Sequence, residues 1–199
     1  MSDRAARARP RVRLLAAFLV ALGASRTQAQ APAVPEPTPE TRRHLAARRA
    51  VGPIKVDGVL DETDWALAPT TEDWMKVRPD FAPHTAYRSW ARVLYDGTHL
   101  YIGSFHYDSL GRAAIRVPDL RRDFTPTDAD VFGVTLGPLG DGRTVLQLQA
   151  TPYGSQGDVQ AFDGGASFSF SWDAMWTVRT TRTDSGWVAE MAIPWTSLR

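Results

Sequence analysis

The sequence predicts an all-β fold, an antiparallel β-sandwich of jelly-roll type, on three observations. Short runs rich in β-branched and aromatic residues recur across residues 89–193, separated by Gly, Asp and Pro turn signals rather than by helical periods. Polar and apolar positions alternate at 131–136 (VFGVTL) and 144–150 (TVLQLQA), as half-buried antiparallel strands require. The chain has no cysteine, so stability must come from core burial, which a hydrophobic content of 43% permits.

Taken in order, the first segment is an address. Arg4, Arg7, Arg9, Arg11 and Arg13 precede the apolar run 14–24 (LLAAFLVALGA), and small residues surround Thr27-Gln28-Ala29. That order predicts a Sec-type signal peptide over residues 1–29, with cleavage after Ala29 or Ala31. The apolar run is too short for a comfortable membrane span, which takes about 20 residues. The mature protein is therefore expected to be exported, to the periplasm, the outer membrane or the extracellular space. Residues 1–29 carry six arginines and one aspartate, so without them the 23 basic and 22 acidic side chains fall to 17 and 21, a net charge of −4. No basic excess is left to suggest a nucleic-acid partner.

Residues 30–49 read as a Pro-rich linker. Prolines alternate through 30–40 (QAPAVPEPTPE), which favours an extended spacer, and 41–50 (TRRHLAARRA) has the alanine content of a helical turn. The folded domain is expected over residues 50–199, one domain's length of chain.

Its opening, Ile54–Trp65 (IKVDGVLDETDW), reads as a strand, a turn and an acidic-capped helical turn. Asp61 is the expected cap, and Trp65 is expected to place its indole in the core. Ser89–Tyr95 and Leu100–Tyr107 flank Asp96-Gly97-Thr98-His99, a hairpin in which Asp-Gly would supply a positive φ. Residues 131–136 and 144–150 form a second hairpin. Residues 176–181 and 187–193 bracket Asp184-Ser185-Gly186 as a third, and Pro194 stops the last strand. Between the first two hairpins lies Arg121-Arg122-Asp123, followed by Asp128 and Asp130. These carboxylates could hold Ca²⁺, which takes six to eight oxygen ligands, or could pair with the two arginines.

The opening IKVDGVLDETDW, the RRD with its spaced aspartates, Thr151–Asp158 (TPYGSQGD) and the closing Gly186–Arg199 (GWVAEMAIPWTSLR) together resemble family 9 carbohydrate-binding modules. The same motifs resemble the N-terminal module of a bacterial outer-membrane family of unknown function, in which such a sandwich precedes a β-barrel. The resemblance spans residues 50–199 and implies an exported, non-catalytic carbohydrate-binding-like module with a polysaccharide or oligosaccharide ligand. The alternative it implies is an accessory domain of an outer-membrane barrel. It also implies further strands beyond Arg199, an incomplete sandwich, and a last strand whose Trp187, Val188, Met191 and Ile193 are only partly protected. Gly137 stands where relatives carry an acidic residue.

Modules of this kind stack a tryptophan on the sugar ring. Before Val131, where one such tryptophan is expected, the chain has Phe124-Thr125-Pro126-Thr127. Phe124 and the loop indole Trp74 are the candidate sugar contacts, while Trp90, Trp172 and Trp176 sit at strand positions that usually belong to sheet faces. His44, His84, His99 and His106 have no metal-ligand spacing, and neither a phosphate-cradling loop nor a GxSxG elbow is present. An enzyme is not expected.

Overall fold

The computed structural model describes residues 44–71, 74 and 88–198. The signal peptide, and all of the linker but its last residues, lie outside that range. Among the described residues, nine strands make two sheets. β1 (Arg48–Arg49), β2 (Ser89–Tyr95), β3 (His99–Tyr107), β8 (Thr177–Thr183) and β9 (Gly186–Pro194) form the first, in the order β1-β2-β3-β9-β8. β4 (Phe132–Leu136), β5 (Val145–Ala150), β6 (Gln156–Phe162) and β7 (Ser167–Ser169) form the second, in chain order. Every pairing is antiparallel except that of β1 with β2. One short helix, α1 (Thr63–Leu67), completes the set with two 3-10 turns, Gly111–Ala113 and Trp195–Leu198.

The predicted sandwich and all three hairpins are therefore present, and several details differ. Residues 44–50 do not form the expected helical turn, because Arg48 and Arg49 pair with Leu94 and Tyr95 as an edge strand. The β2–β3 turn does not use a positive φ at Gly97. Asp96 ties it instead: its Oδ1 accepts from the backbone N–H groups of Thr98 (2.6 Å) and His99 (2.8 Å), and its Oδ2 from the Tyr101 hydroxyl (2.9 Å). Nor does Asp61 cap α1. The cap position is Glu62, whose carboxylate accepts from Lys55 N, and the following Asp64 holds Val51 N and Gly52 N at 2.9 and 3.0 Å.

Two cores follow from strand alternation. Trp187, Ala189, Met191 and Ile193 of β9 point to the second sheet and meet Ile102, Val178, Phe132, Leu148 and Ala150. The reverse face of the first sheet is covered as well: Trp65, Ala68, Leu94, Tyr101 and Ala192 cluster there with Ile54, Val56 and Leu60 of the opening segment. β9 is thus buried on both sides, which explains its near-continuous apolar run. The partial protection expected for it holds for Val188 and is overturned for Trp187, Met191 and Ile193. Trp187, Met191 and Ile193 are buried and Val188 is half-buried, because β9 lies between β3 and β8 under both layers.

Packing of the opening segment demands close approach. A Cβ on Gly103 would lie 3.0 Å from Trp65 Cζ3 and 2.9 Å from Leu60 Cδ2, so the indole rests directly on bare backbone. Gly58, at φ +85°, turns the segment against Thr180 and Thr181. Glu190 reaches up from β9 to lock this turn: its Oε2 accepts from Asp57 N and Gly58 N, each at 2.9 Å, and its Oε1 from the Trp65 indole at 3.3 Å.

Candidate functional site

The opening segment covers only part of the reverse face of the first sheet. Beyond it, β2 and β3 carry a strip of half-buried and exposed side chains that lines a cleft among the described residues. Trp90 faces Phe105 across the ladder, with ring centroids 6.2 Å apart and 22° between planes. Two residues along each strand, alternation returns Arg92 and Tyr107 to the same side. The Arg92 guanidinium lies 4.9 Å from the Trp90 ring centroid and is anchored there, Nε donating to Thr70 Oγ1 and Nη1 to the Trp65 carbonyl. Arg88, exposed just before β2, accepts a backbone hydrogen bond from Tyr107 N (2.8 Å). Arg88, Trp90, Phe105 and Tyr107 line a shallow cleft of about 430 Å³, and Tyr107 is 43% exposed.

A second, larger cavity of about 660 Å³ opens at that end of the sandwich, lined by Ser89, His106, Arg116, Asp130 and Trp187 among others. His106 is satisfied structurally there, as expected from its strand position. Its ring packs at 4.4 Å from Trp187 and 4.8 Å from Phe132, and its two nitrogens meet Ser104 Oγ and Ser89 Oγ. Burial pulls its pKa down to about 4, so it is neutral at pH 7.

The expected cation ligands are not gathered. Asp130 is engaged with Arg116, exchanging two bonds of 2.8 Å between the Asp130 backbone N–H and carboxylate and the Arg116 carbonyl and N–H. Asp128 is exposed, at φ +58°. Asp123 instead approaches Asp158 and Asp173, one carboxylate oxygen of each within 4.8 Å of the others, and this is the single such trio among the described residues. Arg122 stands among them. Its Nη2 donates to Asp158 Oδ2 at 2.7 Å, its Nε to Asp173 at 2.9 Å and its Nη1 to Gln156 at 3.2 Å.

Asp158 also accepts from Ala174 N and the Trp176 indole, both at 3.1 Å. Its side chain is fully buried, and that burial raises its pKa against these opposing bonds. The geometry is that of an ion-paired hub. Arg122→Met should lower unfolding free energy by about 1–3 kcal/mol: a buried carboxylate would lose its counter-charge, though the 38% exposure of the Arg122 side chain lets water soften the loss. Urea unfolding of the two proteins measures it.

Of the two expected sugar contacts, Phe124 offers no free ring. Phe124 is buried against the outer face of the second sheet, where a Cβ on Gly157 would sit 3.4 Å from its Cε1. Trp74 is half-buried and packs against the inter-sheet core. A sugar needs an exposed ring face, and the packing of Phe124 removes it. The strip at Trp90 went unseen because its members are spread over two strands. Arg88-x-Trp90-x-Arg92 facing Phe105-x-Tyr107 becomes legible only once the β2–β3 register is known.

No protein-family model matches the chain, and no curated protein matches it. Solved structures do. A family 9 carbohydrate-binding module from Caldicellulosiruptor kristjanssonii, solved in complex with cellotriose, superposes with a TM-score of 0.52 at 14% identity, covering 74% of this chain and 66% of the module. The chain thus spans just under two thirds of that module's length. A candidate carbohydrate-binding protein from Bacteroides uniformis superposes with a TM-score of 0.61 at 11% identity, covering 77% of this chain and 73% of that one. At these identities the likeness is one of fold, and the fold is that of the family 9 carbohydrate-binding sandwich.

Proposed function

We propose that this domain binds saccharides without turning them over, through the strip formed by Trp90, Phe105, Tyr107 and Arg88. The observation that carries the reading is a pair of half-buried aromatic rings lining a cleft on a sheet face, beside an exposed phenol and an exposed guanidinium. The C–H faces of a pyranose supply an apolar surface to such rings, and the polar groups at the margin can meet its hydroxyls. Sharing a fold with a module solved on cellotriose supports the reading, and the leader-like N-terminus supports delivery outside the cytoplasm. Among the described residues no carboxylate lines the cleft, whereas glycoside hydrolysis ordinarily uses two.

Calorimetry against a panel of soluble neutral and acidic glycans tests this. The wild type should bind at least one of them. Trp90→Ala should weaken that binding by about tenfold, equivalent to about 1.4 kcal/mol, while keeping the wild-type circular dichroism. Equal affinity in the two proteins, or no binding by the wild type to any member, would overturn the assignment.

A further inference from the structure

The donor and acceptor inventory of the same cleft narrows its ligand. A neutral sugar hydroxyl both donates and accepts, so a site for neutral sugars needs side-chain acceptors as well as donors. Here, among the described residues, the polar side chains lining the cleft are Arg88 and Tyr107. A guanidinium brings five N–H donors and no acceptor, and a phenol brings one of each.

The charge is equally one-sided. Arg92, held over Trp90, makes its two anchoring bonds to uncharged oxygens, the Thr70 hydroxyl and the Trp65 carbonyl, so its positive charge is not offset by those partners. The carboxylate nearest in register on this face is Glu190, reached across the sheet from Arg92 through Gly103. It is fully buried beneath the opening segment and committed to Asp57, Gly58 and Trp65. Among the described residues, two guanidiniums therefore flank the aromatic pair and no acidic side chain lines the cleft.

We infer that the strip recognises an anionic saccharide, one carrying a ring carboxylate or sulfate, with the anion on Arg88 and the sugar face on Trp90 and Phe105. The inference rests on the saccharide-binding reading above. A guanidinium and a carboxylate or sulfate match in planar, two-point hydrogen bonding, which a neutral hydroxymethyl group cannot reproduce.

Two matched glycan pairs test it on the full chain: polygalacturonate against its fully methyl-esterified form, and dextran sulfate against dextran. The wild type should bind the charged member of at least one pair at least tenfold more tightly, and that preference should shrink as sodium chloride is raised. Whichever pair shows it identifies carboxylate or sulfate as the recognised group. Arg88→Met should abolish the preference, and Arg112→Met, remote from the strip, should change nothing. Equal binding of both members of each pair would overturn the anionic assignment and leave saccharide binding standing. A charge preference that survives Arg88→Met would overturn it too. Failure to bind any glycan, neutral or charged, would remove both readings together.

Discussion

Replacing Trp65 by alanine is expected to lower the unfolding free energy by about 3–5 kcal/mol, the usual cost of deleting a large buried aromatic side chain. The indole is fully buried. It closes the second core over Gly103, and its N–H is one of the three donors that Glu190 accepts. Its removal leaves a cavity between Leu60, Leu94 and Tyr101, and it takes from Glu190 one bond that the surrounding apolar side chains cannot replace. Urea denaturation measures the change; a loss under about 0.5 kcal/mol, the range of surface substitutions, would mean that the opening segment is not held by this residue.

Glu190→Gln is expected to change how stability responds to pH. Burial pushes the Glu190 carboxyl from an ordinary 4.5 up to about 7, although the Gly58 and Asp57 N–H groups and the Trp65 indole pull the other way. In the native state Glu190 therefore keeps a proton that the unfolded chain has already lost, so its contribution to stability falls as pH rises from about 4.5 to about 7. His106 does the reverse. Its pKa drops from 6.5 to about 4 in the folded protein, so its contribution falls as pH is lowered through that window. Each shift is worth about 3 kcal/mol over its full range, and in the wild type the two slopes oppose one another between pH 4.5 and 6.5.

Removing the carboxyl uncovers the histidine. The Glu190→Gln variant should lose about 3 kcal/mol more than the wild type on acidification from pH 7 to pH 4.5. Parallel pH profiles for the two proteins would show that Glu190 is ionised throughout.

The fold was largely legible because its hairpins are local. Asp96-Gly97, the glycines at 137–142 and Asp184-Ser185-Gly186 each lie between strands that pair with their neighbours in sequence, so turn chemistry and alternation were sufficient. β1, β6 and β7 were harder for physical reasons. β1 is two basic residues held by backbone bonds to β2. β6 directs Gln156, Asp158 and Gln160 to the inner side, opposite Ala150, Leu148 and Leu146, so its polar positions do not advertise a core-facing strand.

The candidate site depended on register. Trp65 could be placed from its own motif, but Trp90 acquires its meaning from Phe105, fifteen positions away along the chain and directly opposite in the ladder. The aspartates show the same limit. Asp123 was visible beside its neighbours in sequence, yet its structural companions are Asp158 and Asp173, brought in by β6 and by the loop before β8.

The bonds from Asp57 and Gly58 to Glu190 join residues 133 and 132 positions apart. On a ribosome, the segment that emerges first has no partner until almost everything after it has been made. Trp65 and Leu60 stay uncovered during that interval, and the second core can form only after β9 has been laid beside β3. Such late closure makes folding slow relative to synthesis, because long loops must be closed before their contacts reward the cost. A chain of this design stays open while it is being made, and its second core locks only when β9 takes its place beside β3.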